Sequence, residues 1–360
     1  MKLMVLTSSI LLVMLLSMVQ NVWADRGIIP VQPNISVYEP GQKAIIAWNG
    51  TTEILVLSTD ILANSSIKAV EILPLPSNPT KVELASVDSF FAVQQLIWSH
   101  LPFVLRENYG NGSKDVSIVF HERIGMHDIT VVEADSLSGL VEWVSNFLED
   151  NGISGTVSIE GFEPVLRDYL LRAFRFFVLD LIELSPESKS AEPVLYQFET
   201  DSLYYPLLIT TPVGGDGKVQ LFVLTDGIVE DGYDPFEKGL YRGLTRSEPI
   251  QFRLTRDEIA EIGLRIGAMF KDKACLTAFT YEGSLGMLVQ DIMIKQTLPL
   301  FMGDLDADGK VNIMDVAIVA RAFASLKGQP RWNGVADLNF DNSIDLLDMT
   351  AVAKDFGKPA

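Results

Sequence analysis

Carboxylates at alternate positions mark two stretches near the C-terminus. The first places Asp304, Asp306 and Asp308 ahead of Asn312 and Asp315; the second places Asp337, Asn339 and Asp341 ahead of Asp345 and Asp348. Each stretch is a twelve-residue loop with side-chain oxygens at positions 1, 3, 5, 9 and 12, and the second starts 33 residues after the first. A hard cation such as calcium gathers roughly six to eight oxygens, and this spacing turns them inward around one ion. Position 7 needs to offer only its backbone carbonyl, so Lys310 and Ser343 fit there. Position 6 must turn with positive φ, which suits Gly309 and which Asn342 tolerates. Position 8 is apolar in both loops, Val311 and Ile344, as expected of residues facing inward between paired loops. Position 12 is Asp315 or Asp348, one methylene shorter than the usual Glu, so the helix must come closer. Without a cation, four or more like charges would crowd each loop. The expectation is two Ca2+ ions whose binding is coupled to folding of the segment.

A helix must follow each loop to hold its last ligand. Val316, Val319, Ala320 and Phe323 recur at helical spacing, as do Met349, Val352, Ala353 and Phe356. The two units echo each other: Asp304-Leu305 matches Asp337-Leu338, and Val319-Ala320-Arg321 matches Val352-Ala353-Lys354. A duplicated loop and helix, with Asp at position 12 and no helix ahead of the loop, resembles a type I dockerin over about residues 301–358. The resemblance implies a small all-α module of two EF-hand-type calcium loop-helix units, and a cohesin domain of a scaffold or cell-surface protein as partner. It also implies partner contacts at loop positions 10 and 11 and at a basic residue along each helix. By position these are Ile313, Met314 and Arg321, then Leu346, Leu347 and Lys354. Many family members carry Ser-Thr where this chain has apolar pairs. The competing reading is that the four apolar residues pack in the module's own core.

Residues 25–300 form the large domain, and its elements read as α+β without a regular β-α-β repeat. Strands are expected at 42–48 and 52–58 around an Asn49-Gly50 turn, and at 67–73 before the proline-rich crossing 74–79. Further strands are expected at 128–133, 176–183, 203–210 and 220–225, with a final pair across 275–281 and 287–294. Helices are expected from Ser86 or Asp88 to Ser99, from Ser136 to Gly152, and from Pro164 to Phe174. Another runs from the capping box Thr255-Arg256-Asp257-Glu258 to about Phe270. Several stretches are similar to an uncharacterised family of exported bacterial and archaeal domains over about residues 28–295. They are the Gln-x-Ala-Ile-Ile-Ala-Trp run, the Pro-x-Pro crossing, the 128–133 strand before the Trp143 helix, Tyr205-Pro206-Leu207 and Phe222-Val223-Leu224-Thr225. That resemblance brings location and fold, and no chemistry.

Residues 1–24 read as a secretory signal, with Lys2, an apolar run and cleavage after Ala24; the alternative is a retained anchor. No later stretch reaches the roughly 20 apolar residues that a bilayer span requires. The expected location is secreted or cell-surface, where calcium is plentiful. A net charge of −19 opposes nucleic-acid binding and anionic membranes. The one cysteine, Cys275, reads as a buried apolar residue. Sequons at Asn34, Asn49, Asn64 and Asn111 are candidate glycosylation sites in surface turns.

No catalytic motif emerges from the large domain. His100, His121 and His127 lack a metal-ligand spacing. The glycine-rich run 214–217 lacks a phosphate-loop lysine and reads as a hairpin turn between 210 and 219. Trp48, Trp98 and Trp143 read as core. Glu122, Glu133, Glu142 and Asp168 are carboxylates with no spacing that pairs them for glycoside hydrolysis. The leading expectation is an exported, non-catalytic protein tethered through its calcium-dependent module at 301–360. The alternative is a glycoside hydrolase or accessory protein of a polysaccharide-degrading complex, with polysaccharide as ligand. Against it, residues 298–303 leave no long linker. A third reading has the module dock within the chain as a calcium-stabilised cap.

Overall fold

The computed structural model describes residues 27–30, 37–63, 67–100, 127–151, 159, 161–184, 192–212, 215–229, 236–238, 250–271, 273–298, 300–339 and 341–358. The expectations for the 1–24 leader and for Asn34, Asn64, Asn111, His121 and Glu122 lie outside those residues.

The apolar runs become the interiors of two sheets. A four-stranded antiparallel sheet has the order β1 (Gly27–Pro30), β4 (Ile67–Leu75), β7 (Phe176–Leu184), β6 (His127–Glu133). The larger sheet has the order β11 (Glu237–Lys238), β13 (Lys273–Ser284), β10 (Asp216–Thr225), β2 (Val37–Trp48), β3 (Thr52–Ala63), β8 (Val194–Glu199), β5 (Lys81–Leu84). A further strand, β12 (Gln251–Thr255), also pairs with β13. The expected hairpin joins β2 to β3, with Trp48 opposite Glu53. Gly50 turns with φ of 93°, and Asn49 Oδ1 accepts the Thr51 and Thr52 amides at 3.2 and 3.0 Å.

Alternation along the large sheet divides the core in two. Ile45, Ala47, Phe252, Leu254 and Leu276 face α1 (Asp88–His100), α4 (Arg256–Ile262) and α5 (Leu264–Met269). Ala44, Ile46 and Trp48 join the other cluster, which includes the four-stranded sheet, α2 (Leu137–Asp150) and α3 (Glu163–Leu171). The expected caps are present: Ser136 Oγ accepts the Gly139 amide, and Thr255 and Glu258 close a reciprocal capping box. The whole is the expected mixed α+β fold, with a helical C-terminal region.

Six local expectations give way in the structure. The third strand runs through Pro74, opposite Phe177, instead of stopping at Leu73. Strand β1 reaches only Ala69–Ile72, so Pro74 has a ladder neighbour on one side and its missing N–H is tolerated. Within 203–210 only β9 (Leu203–Tyr205) is extended, and Leu208–Thr210 winds into a 3-10 turn. Strand β9 pairs with β14 (Ile292–Ile294), so 287–294 does not pair with 275–281, and β13 lies instead between β10 and β12. The glycine-rich run is no hairpin, because Asp216 and Gly217 already belong to β10, opposite Ser284 and Gly283. The helix expected through Phe270 breaks at Gly263, whose backbone is extended. Helix α3 stops before Phe174 because Ala173 turns with φ of 67°.

A buried carboxyl ties these layers together. Glu53 is fully buried, and its Oε2 accepts the Tyr204 amide of β9 at 2.7 Å. Burial pushes its carboxyl well above the usual range, outweighing that hydrogen bond. A carboxyl raised in the folded state contributes stability below its unfolded pKa, and the contribution is lost as pH rises through the folded value. Urea unfolding of the wild-type chain at rising pH is therefore expected to show a falling component that Glu53→Gln lacks. The variant should stay within about 1 kcal/mol of wild type at the acid end. Equal slopes for the two proteins would contradict this assignment.

Candidate metal centre

The two acidic loops fold alike, and each is organised by its position-12 carboxylate. Asp315 is fully buried at the third position of α6 (Ile313–Ala322). Its Oδ1 accepts the Leu305 amide at 2.7 Å, and its Oδ2 accepts the Asn312 amide at 2.7 Å. Asp348 repeats this in α7 (Leu346–Asp355), accepting from Leu338 at 2.7 Å and Asp345 at 2.8 Å. The shorter side chain thus serves because the first turn of the helix folds back onto positions 2 and 9 of its own loop.

Position 1 pins the turn. Asp304 accepts the amides of Asp308 and Gly309 at 3.1 and 3.0 Å, and Asp337 accepts those of Asp341 and Asn342 at 3.2 and 3.0 Å. Gly309 and Asn342 hold φ of 85° and 65°, as position 6 demands. At position 5, Asp308 and Asp341 accept the position-7 amides of Lys310 and Ser343, both at 2.8 Å. Position 9 has a second task, for Asn312 and Asp345 cap α6 and α7 through the Met314 and Leu347 amides. Asn339 Nδ2 donates to Asp341 Oδ2 at 2.9 Å.

Carboxylate oxygens of Asp304, Asp306 and Asp315 lie within 4.8 Å of one another. Burial, reinforced by the charges of Asp315, Asp306 and Asp308, pushes Asp304 up to about 7 against the pull of the Gly309 amide. Burial and the neighbouring Asp315 and Asp308 push Asp306 up to about 6. Burial also raises Asp337, with Asp348 and Asp341 adding to the effect. Hard oxygen donors held this close fit a divalent cation, which would replace mutual repulsion by attraction.

The loops do not pair with each other as expected. Val311 O, at position 8 of the first, accepts the Gly357 amide beyond α7 at 2.8 Å. Ile344 O, at position 8 of the second, accepts the Ala324 amide beyond α6 at 2.8 Å. Each loop is therefore closed by the segment that follows the other unit's helix. The second contact extends into β15 (Ser325–Leu326) paired with β16 (Ser343–Ile344), so the module is not all-α. Leu305, Val311, Val319, Leu338, Ile344 and Val352 fill the core between the units. Ala320, Ala353 and Phe356, expected on the inner faces, are exposed. Val319 and Val352 of that spacing are buried as expected, and Ala322 is buried with them.

Ile313, Met314, Leu346 and Leu347 stay out of that core, with 66, 54, 70 and 61% of their surface exposed. Arg321 and Lys354 are exposed on the same helices. His127 Nδ1 lies 2.6 Å from Asp180 Oδ2 and its Nε2 lies 3.1 Å from Glu192 O, with both side chains buried. His100 Nε2 meets Glu258 Oε1 at 2.8 Å, and its ring stacks on Phe252. Glu133, Glu142 and Asp168 sit on three separate elements, β6, α2 and α3, and Asp168 accepts Arg172 Nε at 2.7 Å. Asn49 stands in its expected turn, where its Nδ2 donates to Met269 O at 3.4 Å. Trp48 is buried, and Trp98 and Trp143 pack against the two cores.

Sequence reasoning missed a set of contacts that seat the first loop on the large domain. Gln251 Nε2 donates to Ala307 O at 2.6 Å, Arg253 Nη1 to Met302 O at 3.0 Å, and Lys273 Nζ to Leu300 O at 2.6 Å. Cys275, buried as expected, packs with Ile228, Leu300 and Ala307. The module therefore follows the large domain without a tether. No local signal marks these side chains, because their partners are backbone carbonyls 27 to 56 residues away.

Position 6 allows a direct check on loop geometry. Gly309→Ala places a Cβ in the left-handed region and should destabilise the C-terminal unit by about 1–2 kcal/mol. Asn342→Gly should be close to neutral. Urea unfolding followed by helical circular dichroism separates the two, and equal effects would contradict the left-handed assignment.

Comparison with known proteins supplies the family. Residues 302–357 match the type I dockerin domain. Residues 23–235, more than half of the chain, match a family described as uncharacterized protein conserved in bacteria, DUF2330. No curated protein matches the chain. Among solved structures, baculovirus P35 aligns at 10% identity over 75% of this chain and 99% of that one, with a TM-score of 0.42. A mutated baculovirus P35 after caspase cleavage aligns at 10% identity over 71% and 96%, with a TM-score of 0.37. Likenesses this weak carry no functional argument. The chain belongs to the DUF2330 family of proteins conserved in bacteria, and a type I dockerin domain forms its C-terminal end.

Proposed function

We propose that this is an exported protein whose dockerin, holding two calcium ions, fastens the large domain to a cohesin-type domain on a scaffold or cell surface. The observation that carries the reading is the pair of matched loops, each with buried carboxylates at positions 1 and 12 beside an exposed apolar pair. Asp304, Asp306, Asp308, Asn312 and Asp315, with the Lys310 carbonyl, would hold one ion. Asp337, Asn339, Asp341, Asp345 and Asp348, with the Ser343 carbonyl, would hold the other. Because Asn312 and Asp345 also cap helices, they suit contact through a water. Bound calcium supplies the positive charge that lets each buried cluster stay ionised.

The partner face would consist of Ile313, Met314 and Arg321, and of Leu346, Leu347 and Lys354, which the reciprocal closure of the two loops places equivalently in the two units. Exposed apolar side chains ringed by charge suit a protein interface. The large domain serves as passenger and not as catalyst, a reading supported by histidines engaged in buried internal pairs. Export is supported by the leader-like residues 1–24 and by the calcium demand of the dockerin. Among the described residues no helix is long and apolar enough to cross a membrane.

Calorimetry of the full chain should show two equivalents of calcium bound, and none after Asp315→Ala is combined with Asp348→Ala. Absence of binding at millimolar calcium would overturn the reading. Ile313→Asp combined with Leu346→Asp should weaken capture by an immobilised cohesin domain by about a hundredfold or more, the scale of two lost hot-spot contacts. Calcium uptake should be unchanged in that double variant.

A further inference from the structure

The two calcium loops are alike in sequence and in internal bonding, but their surroundings differ. The first is seated on the large domain. Gln251 and Arg253 project from β12 on the face opposite Phe252 and Leu254, and both side chains are buried. The Gln251 amide donates to the carbonyl of Ala307, which lies between the ligand positions Asp306 and Asp308. Ala307 is itself buried and holds φ of 54°, a conformation that a residue with a Cβ rarely adopts unless its surroundings impose it. Those surroundings are the Gln251 hydrogen bond and the packing of the Ala307 methyl against Ile228, Cys275 and Leu300.

Arg253 adds charge to this seat. It donates Nη1 to Met302 O, two residues before Asp304, while its buried Nη2 has no hydrogen-bond partner. A buried cation left partly unpaired needs nearby anions to offset its desolvation. Glu258 and Asp304 are the carboxylates whose charge acts on it. Among the described residues no hydrogen bond or ion pair from the large domain reaches residues 337–348. The inter-loop turn Gly334–Ala336, just ahead of the second loop, packs against β12 and near Glu258.

We propose that Gln251 and Arg253 are positioning residues for the first calcium loop, so that the two loops bind calcium unequally and only the first couples its occupancy to the large domain. This rests on the reading of both loops as calcium sites. The Gln251 bond fixes the peptide between two ligand positions before any ion arrives, which lowers the ordering cost at the first loop. The second loop has no such side-chain bond from the large domain, so more of its ordering falls on binding. Coupling is reciprocal: if β12 organises the loop, the filled loop stiffens β12 and β13.

Two experiments on the full chain test this. In calorimetry, Gln251→Leu should weaken calcium binding at the first loop roughly fivefold, which corresponds to about 1 kcal/mol for one lost hydrogen bond. The second loop should be unaffected. Asp348→Ala, which disables the second loop, identifies the site that moved. In hydrogen exchange, calcium should slow the amides of β12 and of Lys273–Thr277 in wild type. Asp304→Asn should abolish that slowing, and Asp337→Asn should leave it in place. The exchange measurement stands even where Gln251→Leu folds poorly, because its variants carry no substitution in the large domain. Wild-type protein that binds two ions without slowing β12, or a Gln251→Leu isotherm equal to wild type at both loops, overturns the coupling alone. Wild-type protein that takes up no calcium overturns both the coupling and the function it rests on.

Discussion

Mutual repulsion of buried aspartates is the constraint around which the C-terminal end is built. Asp304 and Asp315 are fully buried within one loop, and Asp348 is fully buried in the other. Carboxylates in such positions must be offset by hydrogen-bond donors, by a cation, or by both. The backbone supplies the first kind of relief. Amides of positions 2, 5, 6, 7 and 9 all point at side-chain oxygens of positions 1, 5 and 12. Position 12 carries most of the architecture, since its carboxylate caps the helix and closes the loop at once. The remaining negative charge is what a divalent ion would meet.

The module gains stability from exchange between its halves. Each loop is closed by the segment after the other unit's helix, with Ala324 and Gly357 at equivalent places and both turned with positive φ. Neither half can complete its backbone hydrogen bonds alone, so the two loops fold as one unit with a shared core. This exchange leaves position 10 and 11 side chains of both units on the surface. The sequence alone had left open whether these apolar pairs were core or interface. The tertiary arrangement places them outside the core, because the helix register that buries Asp315 and Asp348 turns the preceding residues outward.

The seat on β12 and β13 changes how the dockerin relates to the rest of the chain. Side chains of Gln251, Arg253 and Lys273 hold the carbonyls of residues 307, 302 and 300 against this strand pair. A module seated in this way is held in one orientation on the large domain, where a flexible linker would decouple the two.

The local features were legible in the sequence: the ligand spacing, the positive φ at Gly309 and Asn342, the Asn49-Gly50 turn, and the helix starts at Ser136 and Thr255. Each is decided within about a dozen residues, where side-chain type and backbone geometry act directly on one another. Partners of strands far apart in the sequence were not legible. Nothing within 287–294 says that it pairs with β9 and not with β13, and nothing near Pro74 says that β1 stops short of it. The reciprocal closure of the loops and the Gln251–Ala307 bond belong to the same class. Those choices are settled by which distant surfaces bury most apolar area together, and a backbone carbonyl carries no mark in the sequence of the side chain that will reach it.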